Sequence, residues 1–350
     1  MTFKQNFHTR SKSSRGSSDT GRSRVKALLT GATGFIGTAL VAPLLERGEA
    51  IHALVRPETA RNPRKMAHLS DRSRVTIFIG KLDDPALVRR AVRGVDTVYH
   101  LAFLYGQAWL PQDFLTPNLR ATEILLRASV EAGIRRFVLS GSVSVYGWRR
   151  AAWHWPVAED APLDGYGNYA DTKILTEGLV RRFTDTHGLE HAIVRLPHVY
   201  GRGAATFEYF LSGLLPPALL ARRPETVIDP TLLAGRAWHL VHVRDAVDGV
   251  LRAATRPEGR NDTFNIAGLS ATTRSQLVAI VDGLVEAHSW GGRPARPHAT
   301  FETIGFQIFD TSKAARRLRF APKVSVSTGV AEVVHGLLEP QRRHCGSGRR

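Results

Sequence analysis

From Val25 onward, short runs rich in Val, Ile and Leu alternate with longer segments whose apolar residues recur every three or four positions. VKALLT, AIHALVR, VTIFIG, VDTVYHLA, RRFVLSGS and HAIVRLP read as strands. FIGTALVAPLLERG, DPALVRRAVRG, LRATEILLRASVEAG and YADTKILTEGLVRRFTDTHG read as helices. Strands that are apolar along their whole length suit a sheet covered on both faces, and their alternation with helices implies βαβ units. With right-handed crossovers this predicts an α/β fold, a doubly wound parallel sheet. Pro43 falls inside the first helical segment. A proline there costs about 3 kcal/mol or more and is expected to kink or shorten that helix.

After about Gly201 the rhythm breaks into Pro-interrupted and loop-separated helical pieces, which predicts a smaller C-terminal substrate-binding lobe beside a Rossmann-type unit. HLVHV and TFNIAG are candidate strands that return to the sheet. The expected division is a basic tail over 1–24, the sheet unit over 25–200 with returning strands near 238–268, the lobe over 201–237 and 269–338, and a second basic tail over 339–350.

Composition narrows the class. The 350 residues are 43% hydrophobic, as in globular chains, and no window approaches the roughly 18 unbroken apolar residues of a membrane span. The single cysteine, Cys345, excludes an internal disulfide framework and a Cys-rich metal site, which fits a cytoplasmic setting. The net charge of +17 concentrates at the ends, where the first 24 residues hold six bases and one acid. With no nucleic-acid module in view, the charge reads as basic tails on an Arg-rich enzyme, and neither nucleic acid nor metal is expected. The N-terminal stretch is Ser/Arg-rich like a transit peptide but lacks the apolar stretch of a secretory signal.

TGATGFIG (Thr30–Gly37) stands between a strand and a helix, with Gly31, Gly34 and Gly37 spaced G-x-x-G-x-x-G. Glycines there allow a tight turn, backbone approach to a pyrophosphate and close helix–sheet packing, while the helix N-terminus offers free N–H groups. Thr30, Thr33, Phe35 and Ile36 complete this cofactor-binding loop. At the end of the second strand, where an acid would bind the NAD ribose, the chain has Arg56, with Arg61 nearby. A cation there suits a 2′-phosphate, so NADP(H) is favoured over NAD(H). Further on, Tyr169 and Lys173 lie four positions apart in a helical segment, on one face. An ammonium beside a phenol favours phenolate and tunes it for proton transfer.

TGATGFIG, SGSVSVYG and YADTK in this order resemble the extended short-chain dehydrogenase/reductase family, of the NAD-dependent epimerase/dehydratase type. The likeness runs from about Val25 to Leu338 and includes HLA, RLPHVYGRG, HVRD, NIAG and DTSKAARRLRFAPKVSVSTGV. The resemblance implies Tyr169 and Lys173 as catalytic pair, Ser142 as the hydroxyl that holds the substrate oxygen, and Asn118 as support for the site. It also implies cofactor contacts from Leu101, Ala102, Pro197 and Lys173. Lys81 stands where the family commonly has an Asp near adenine, which leaves Asp83 or backbone groups for that contact. Family members often pair through two long helices, so a homodimer through LRATEILLRASVEAG and YADTKILTEGLV is expected.

Departures from the family bear on the substrate. Val143 and Ser144 replace the acidic pair that follows the active hydroxyl in sugar-nucleotide 4,6-dehydratases. His198 and Trp238 replace an Asn and an Arg that contact the nucleotide in epimerases, although Arg236, two residues before Trp238, is expected to share its strand face. Trp148, Trp153 and Trp155 fall between Ser142 and Tyr169. Ser144, Tyr146, Trp148, His198 and Trp238 are therefore expected to line the substrate site, with a structural role as the alternative for Tyr146. His198 and His242 are read as lining or core residues rather than acid–base groups. The leading expectation is hydride transfer between NADP(H) and a small, apolar carbonyl or alcohol. Alternatives are a nucleotide-sugar epimerase and a non-catalytic dinucleotide sensor.

Overall fold

The computed structural model describes residues 25–71, 73–104, 111–147, 156–212, 214–215, 237–287 and 308–338. Both tails, Trp148, Trp153, Trp155, Arg236 and much of the expected lobe lie outside these residues. Strands β1 (Lys26–Thr30), β2 (Ala50–Val55), β3 (Val75–Ile79), β4 (Thr97–His100), β5 (Arg136–Ser142) and β6 (His191–Leu196) fall on the six predicted runs. Beyond them come β7 (Val199–Tyr200), β8 (Ala237–Trp238), β9 (Val241–His242), β10 (Asp262–Asn265) and β11 (Thr272–Thr273). The helices are α1 (Phe35–Glu46), α2 (Pro57–Ala60), α3 (Pro63–Met66), α4 (Pro85–Ala91), α5 (Pro111–Glu131) and α6 (Asn168–His187), then α7 (Ala205–Ser212), α8 (Val243–Thr255), α9 (Arg274–Ala287) and α10 (Val326–Leu338).

Seven strands form one parallel sheet in the order β10-β6-β5-β4-β1-β2-β3. Alternate residues of each strand enter different cores, as the period of two requires. Ala27 and Leu29 join Leu40, Leu44, Val247 and Val250 of α1 and α8. Leu28, Phe137, Leu139 and Ile193 face Leu87, Leu125, Val180 and Phe183 of α4, α5 and α6. A third cluster gathers Phe207, Leu211, Leu277, Val281, Val330, Val333 and Leu337 of α7, α9 and α10.

Two expectations need correction. TFNIAG supplies β10, which pairs with β6, but HLVHV does not join the main sheet: among the described residues β9 pairs with β7 alone. Pro197, which has no N–H to donate, ends the β6 ladder, and the chain beyond it meets β9 instead. Helix α1 also runs through Pro43 to Glu46, since Pro43 lies in its last turn and its carbonyl still accepts from Arg47 N at 3.2 Å. Among the described residues no helix is long and apolar enough to cross a membrane.

The strand order reverses between β1 and β4, and a crevice outside the C-terminal strand ends is where sheets of this kind bind ligands. The glycine turn follows β1, the His100–Ala102 segment ends β4, and Ser142 ends β5. The topology therefore delivers three distant stretches of sequence to one edge.

Candidate active site

The turn after β1 works only with glycine at two points. Gly31 has φ +74°, and a Cβ on it would lie 2.7 Å from Ala102 N. A Cβ on Gly37 would lie 2.0 Å from Gly31 O, so this residue lets α1 close onto the turn. Gly34 is the N-cap of α1, with no side chain capping the helix and no acid in its first turn. The first-turn N–H groups of α1 are thus left for a ligand, and the helix dipole favours an anion there. This backbone fits a dinucleotide pyrophosphate. Gly37→Ala is expected to weaken dinucleotide binding by about tenfold or more, read by fluorescence titration with the reduced cofactor, because backbone rather than a mobile side chain must yield.

Behind the turn, a buried chain of hydrogen bonds links β1, β4 and α5. His100 Nδ1 is 2.8 Å from Thr30 Oγ1, and its Nε2 is 3.0 Å from Thr122 Oγ1. Thr122 donates its one hydroxyl proton to Asn118 O at 2.8 Å, so it accepts from His100 Nε2–H. Nδ1 is then the acceptor, and Thr30 donates to it while accepting from Ala102 N at 3.3 Å. Burial, helped by the Lys173 charge, holds the His100 pKa down to about 3, so the ring stays neutral. Asn118 is buried on α5 and clamps the next residues: its Oδ1 accepts from Leu104 N at 2.8 Å and its Nδ2 donates to Leu104 O at 3.1 Å.

Ser142 closes β5, is 8% exposed, and accepts from Ser144 N at 3.2 Å. Ser144 Oγ is buried with no hydrogen-bond partner among the described residues. Tyr169 and Lys173 lie in the first two turns of α6, with Lys173 Nζ 5.8 Å from the Tyr169 ring centroid. Nζ donates to Ser140 O at 2.9 Å and stands 4.1 Å from the centre of the Phe103 ring. Burial lowers the Lys173 pKa to about 8, against the pull of Glu177, which favours the charged form. An ammonium so placed stabilises a phenolate a turn away, and a serine at the adjoining strand end offers a hydroxyl to an oxygen that gains charge.

One turn beyond Lys173, Glu177 is fully buried and takes Arg195 Nε at 3.0 Å and Nη2 at 2.8 Å. Arg181 Nη2 adds a third bond at 2.8 Å. Arg195 also donates to Tyr146 at 2.8 Å, and the Tyr146 hydroxyl donates to Asn265 Oδ1 at 2.6 Å. The pair thus pins α6 to β6 and, through Tyr146, to β10. Sequence reasoning missed Phe103, His100, Glu177, Arg195 and Asn265 as parts of the site's frame. The spacing of Tyr169, Lys173, Glu177 and Arg181 was a legible signal, a stripe four residues apart on one helix face.

The remaining expected residues divide. Tyr146 is 1% exposed with its hydroxyl held by Asn265 and Arg195, so of the two roles expected for it the structural one fits. His198 is half-buried beyond β6, its pKa held at about 4 by burial, with its carbonyl tied to Val241 N at 3.1 Å. Trp238 packs edge-on against Phe210 with ring centres 5.8 Å apart. Pro197 is half-buried beside His198, while Asp83 is exposed ahead of α4. Arg56 follows β2 as the exposed N-cap of α2 and lies 3.4 Å from Glu58. His242 caps α8, accepting from Arg244 N at 3.3 Å, and faces Glu332 rather than Tyr169 or Lys173.

Comparison with known proteins places this geometry. Residues 27–267 match the model of the NAD dependent epimerase/dehydratase family. The chain is 29% identical to a dTDP-glucose 4,6-dehydratase of Streptomyces griseus, over 88% of this chain and 92% of that protein. It is 27% identical to a UDP-glucose 4-epimerase of Mycolicibacterium smegmatis (strain ATCC 700084 / mc(2)155), over 89% of this chain and 97% of the other. The crystal structure of UDP-glucuronic acid 4-epimerase from Bacillus cereus in complex with NAD superposes with a TM-score of 0.72 at 23% identity, covering 89% of this chain and 98% of that one.

Proposed function

The chain belongs to the NAD dependent epimerase/dehydratase family, and on that premise we propose that it transfers hydride at an alcohol or carbonyl carbon using Ser142, Tyr169 and Lys173. The observation that carries this reading is the Tyr169–Lys173 pair on α6, whose lysine bonds Ser140 O on β5, the strand that Ser142 ends. The dinucleotide, when bound, supplies or accepts the hydride. Tyr169 gives or takes the proton, Lys173 stabilises its phenolate, and Ser142 holds the substrate oxygen. Asn118 acts through the backbone of Leu104 and His100 through Thr30 and Thr122; both are positioning residues.

On this reading residues 25–200, with β10, form the dinucleotide-binding unit, and 201–237 with 269–338 form the substrate lobe. NADP(H) is the favoured cofactor, supported by Arg56 at the end of β2 with no acid in its place. Glu58 beside Arg56 opposes a second negative charge, so the phosphate has to draw the guanidinium away from it. A small, apolar carbonyl or alcohol is the favoured substrate, supported by Val143 and Ser144 in place of an acidic pair and by the aromatic Phe103 at Tyr169. The second reading is a nucleotide-sugar epimerase, favoured by relatives of that kind that align along nearly their whole length.

One titration separates these readings. NADPH is expected to bind at least tenfold more tightly than NADH, and Arg56→Asp to reverse the order. UDP-glucose is expected to bind weakly or not at all. A preference for NADH in the wild type overturns the role of Arg56, and tight UDP-glucose binding turns the substrate reading to the epimerase.

A further inference from the structure

Phe103 directly follows the His100–Ala102 segment, and its ring occupies a particular place between β4 and α6. One face meets the Lys173 ammonium, with Nζ 4.1 Å from the ring centre. The Tyr169 ring packs against it edge to face, with centres 5.2 Å apart and planes at 77°. The backbone beside it is held at two points, because Leu104 N and O both bond to the Asn118 amide and Ala102 N bonds to Thr30 Oγ1. The backbone that carries the ring is therefore fixed on both sides of Phe103.

An ammonium carries three N–H donors. Lys173 uses one on Ser140 O, and in the direction of Phe103 it meets the negative face of an aromatic ring where an exposed lysine would meet water. Such a face compensates in part for lost hydration, which an aliphatic side chain of similar bulk does not. We propose that Phe103 is a positioning residue whose ring face keeps Lys173 charged in a water-excluded place and aims it at Tyr169. This rests on the reading of Tyr169 and Lys173 as the proton-handling pair. The other groups that face Lys173 are Glu177 on α6, which favours its charge, neutral His100 on β4, whose own protonation the Lys173 charge opposes, and Tyr169 itself. Glu177 and the ring together support the lysine against the cost of its burial.

The chain has eight lysines, so the Lys173 side-chain signal of the full-length, dinucleotide-free protein is separable by NMR and assigned by its loss in Lys173→Arg. The wild-type signal is expected to titrate near pH 8. In Phe103→Leu the midpoint is expected to fall by about half to one and a half pH units, the range that a cation–π contact covers at 1.36 kcal/mol per unit. Phe103→Met, a second aliphatic filler, is expected to behave alike, and Phe103→Tyr to keep the wild-type midpoint. A midpoint in Phe103→Leu and Phe103→Met that equals or exceeds the wild type overturns the proposal. No substrate enters this measurement, so its outcome is independent of whether turnover on any substrate is found.

Discussion

Tyr169→Phe is expected to lower turnover by about 10²- to 10⁴-fold, the usual worth of a positioned general acid–base group, with dinucleotide affinity changed less than threefold. The substitution removes one oxygen and keeps the ring that packs against Phe103 at 5.2 Å. Single-turnover kinetics at saturating dinucleotide separate the chemical step from binding. Retention of wild-type turnover would sink the assignment of the phenol. The electrostatic side has a sign as well. On the proposed roles, Lys173 is charged below about pH 8 and stabilises phenolate there, and its support of Tyr169 is expected to fade on the alkaline side.

The largest effect on stability is expected from Glu177→Ala. Arg195 is 2% exposed at its side chain, and the substitution leaves it beside Tyr146 and the Glu159 carbonyl with no counter-charge. Breaking a buried pair in this way costs about 3–5 kcal/mol, which a urea unfolding midpoint reads directly. Adding Arg195→Met is expected to recover a large part of the loss, since the orphaned charge rather than the lost attraction dominates the cost. If the double variant is as unstable as the single, the pair stabilises by its bonds and the charge argument fails. Lys173 also loses the carboxylate that favours its charge, so its pKa is expected to fall below the wild-type value of about 8 in Glu177→Ala.

Much of the fold was legible because its signals are local. The six strands β1–β6 are runs of Val, Ile and Leu, and each coincides with a segment that the pattern had marked. Periodicity failed for HLVHV, whose apolar residues suit the main sheet but whose partner, β7, is chosen by the chain's change of direction at Pro197. The glycine turn was legible for a different reason. A backbone that needs φ +74° at Gly31 and no Cβ at Gly37 leaves glycine as the residue able to stand there.

The residues around the pair were less legible. Phe103 reads in the sequence as one more apolar position after a strand, and nothing local marks it as the cover of an ammonium. Arg195 and Glu177 are eighteen positions apart and meet only because α6 crosses back onto β6. Neutral His100 follows from where its two nitrogens find their partners, which no spacing encodes.

The sequence by itself determined the strand–helix alternation, the phosphate-type turn and the four-residue step between Tyr169 and Lys173, because each depends on neighbours within a few residues. The tertiary structure alone decided which face of Lys173 meets an aromatic ring, which acid supports its charge, and how β1, β4 and β5 bring Thr30, His100 and Ser142 to one edge. Those relations are set by the order in which parallel strands pair across the sheet, so they join residues about seventy positions apart in the case of Thr30 and His100.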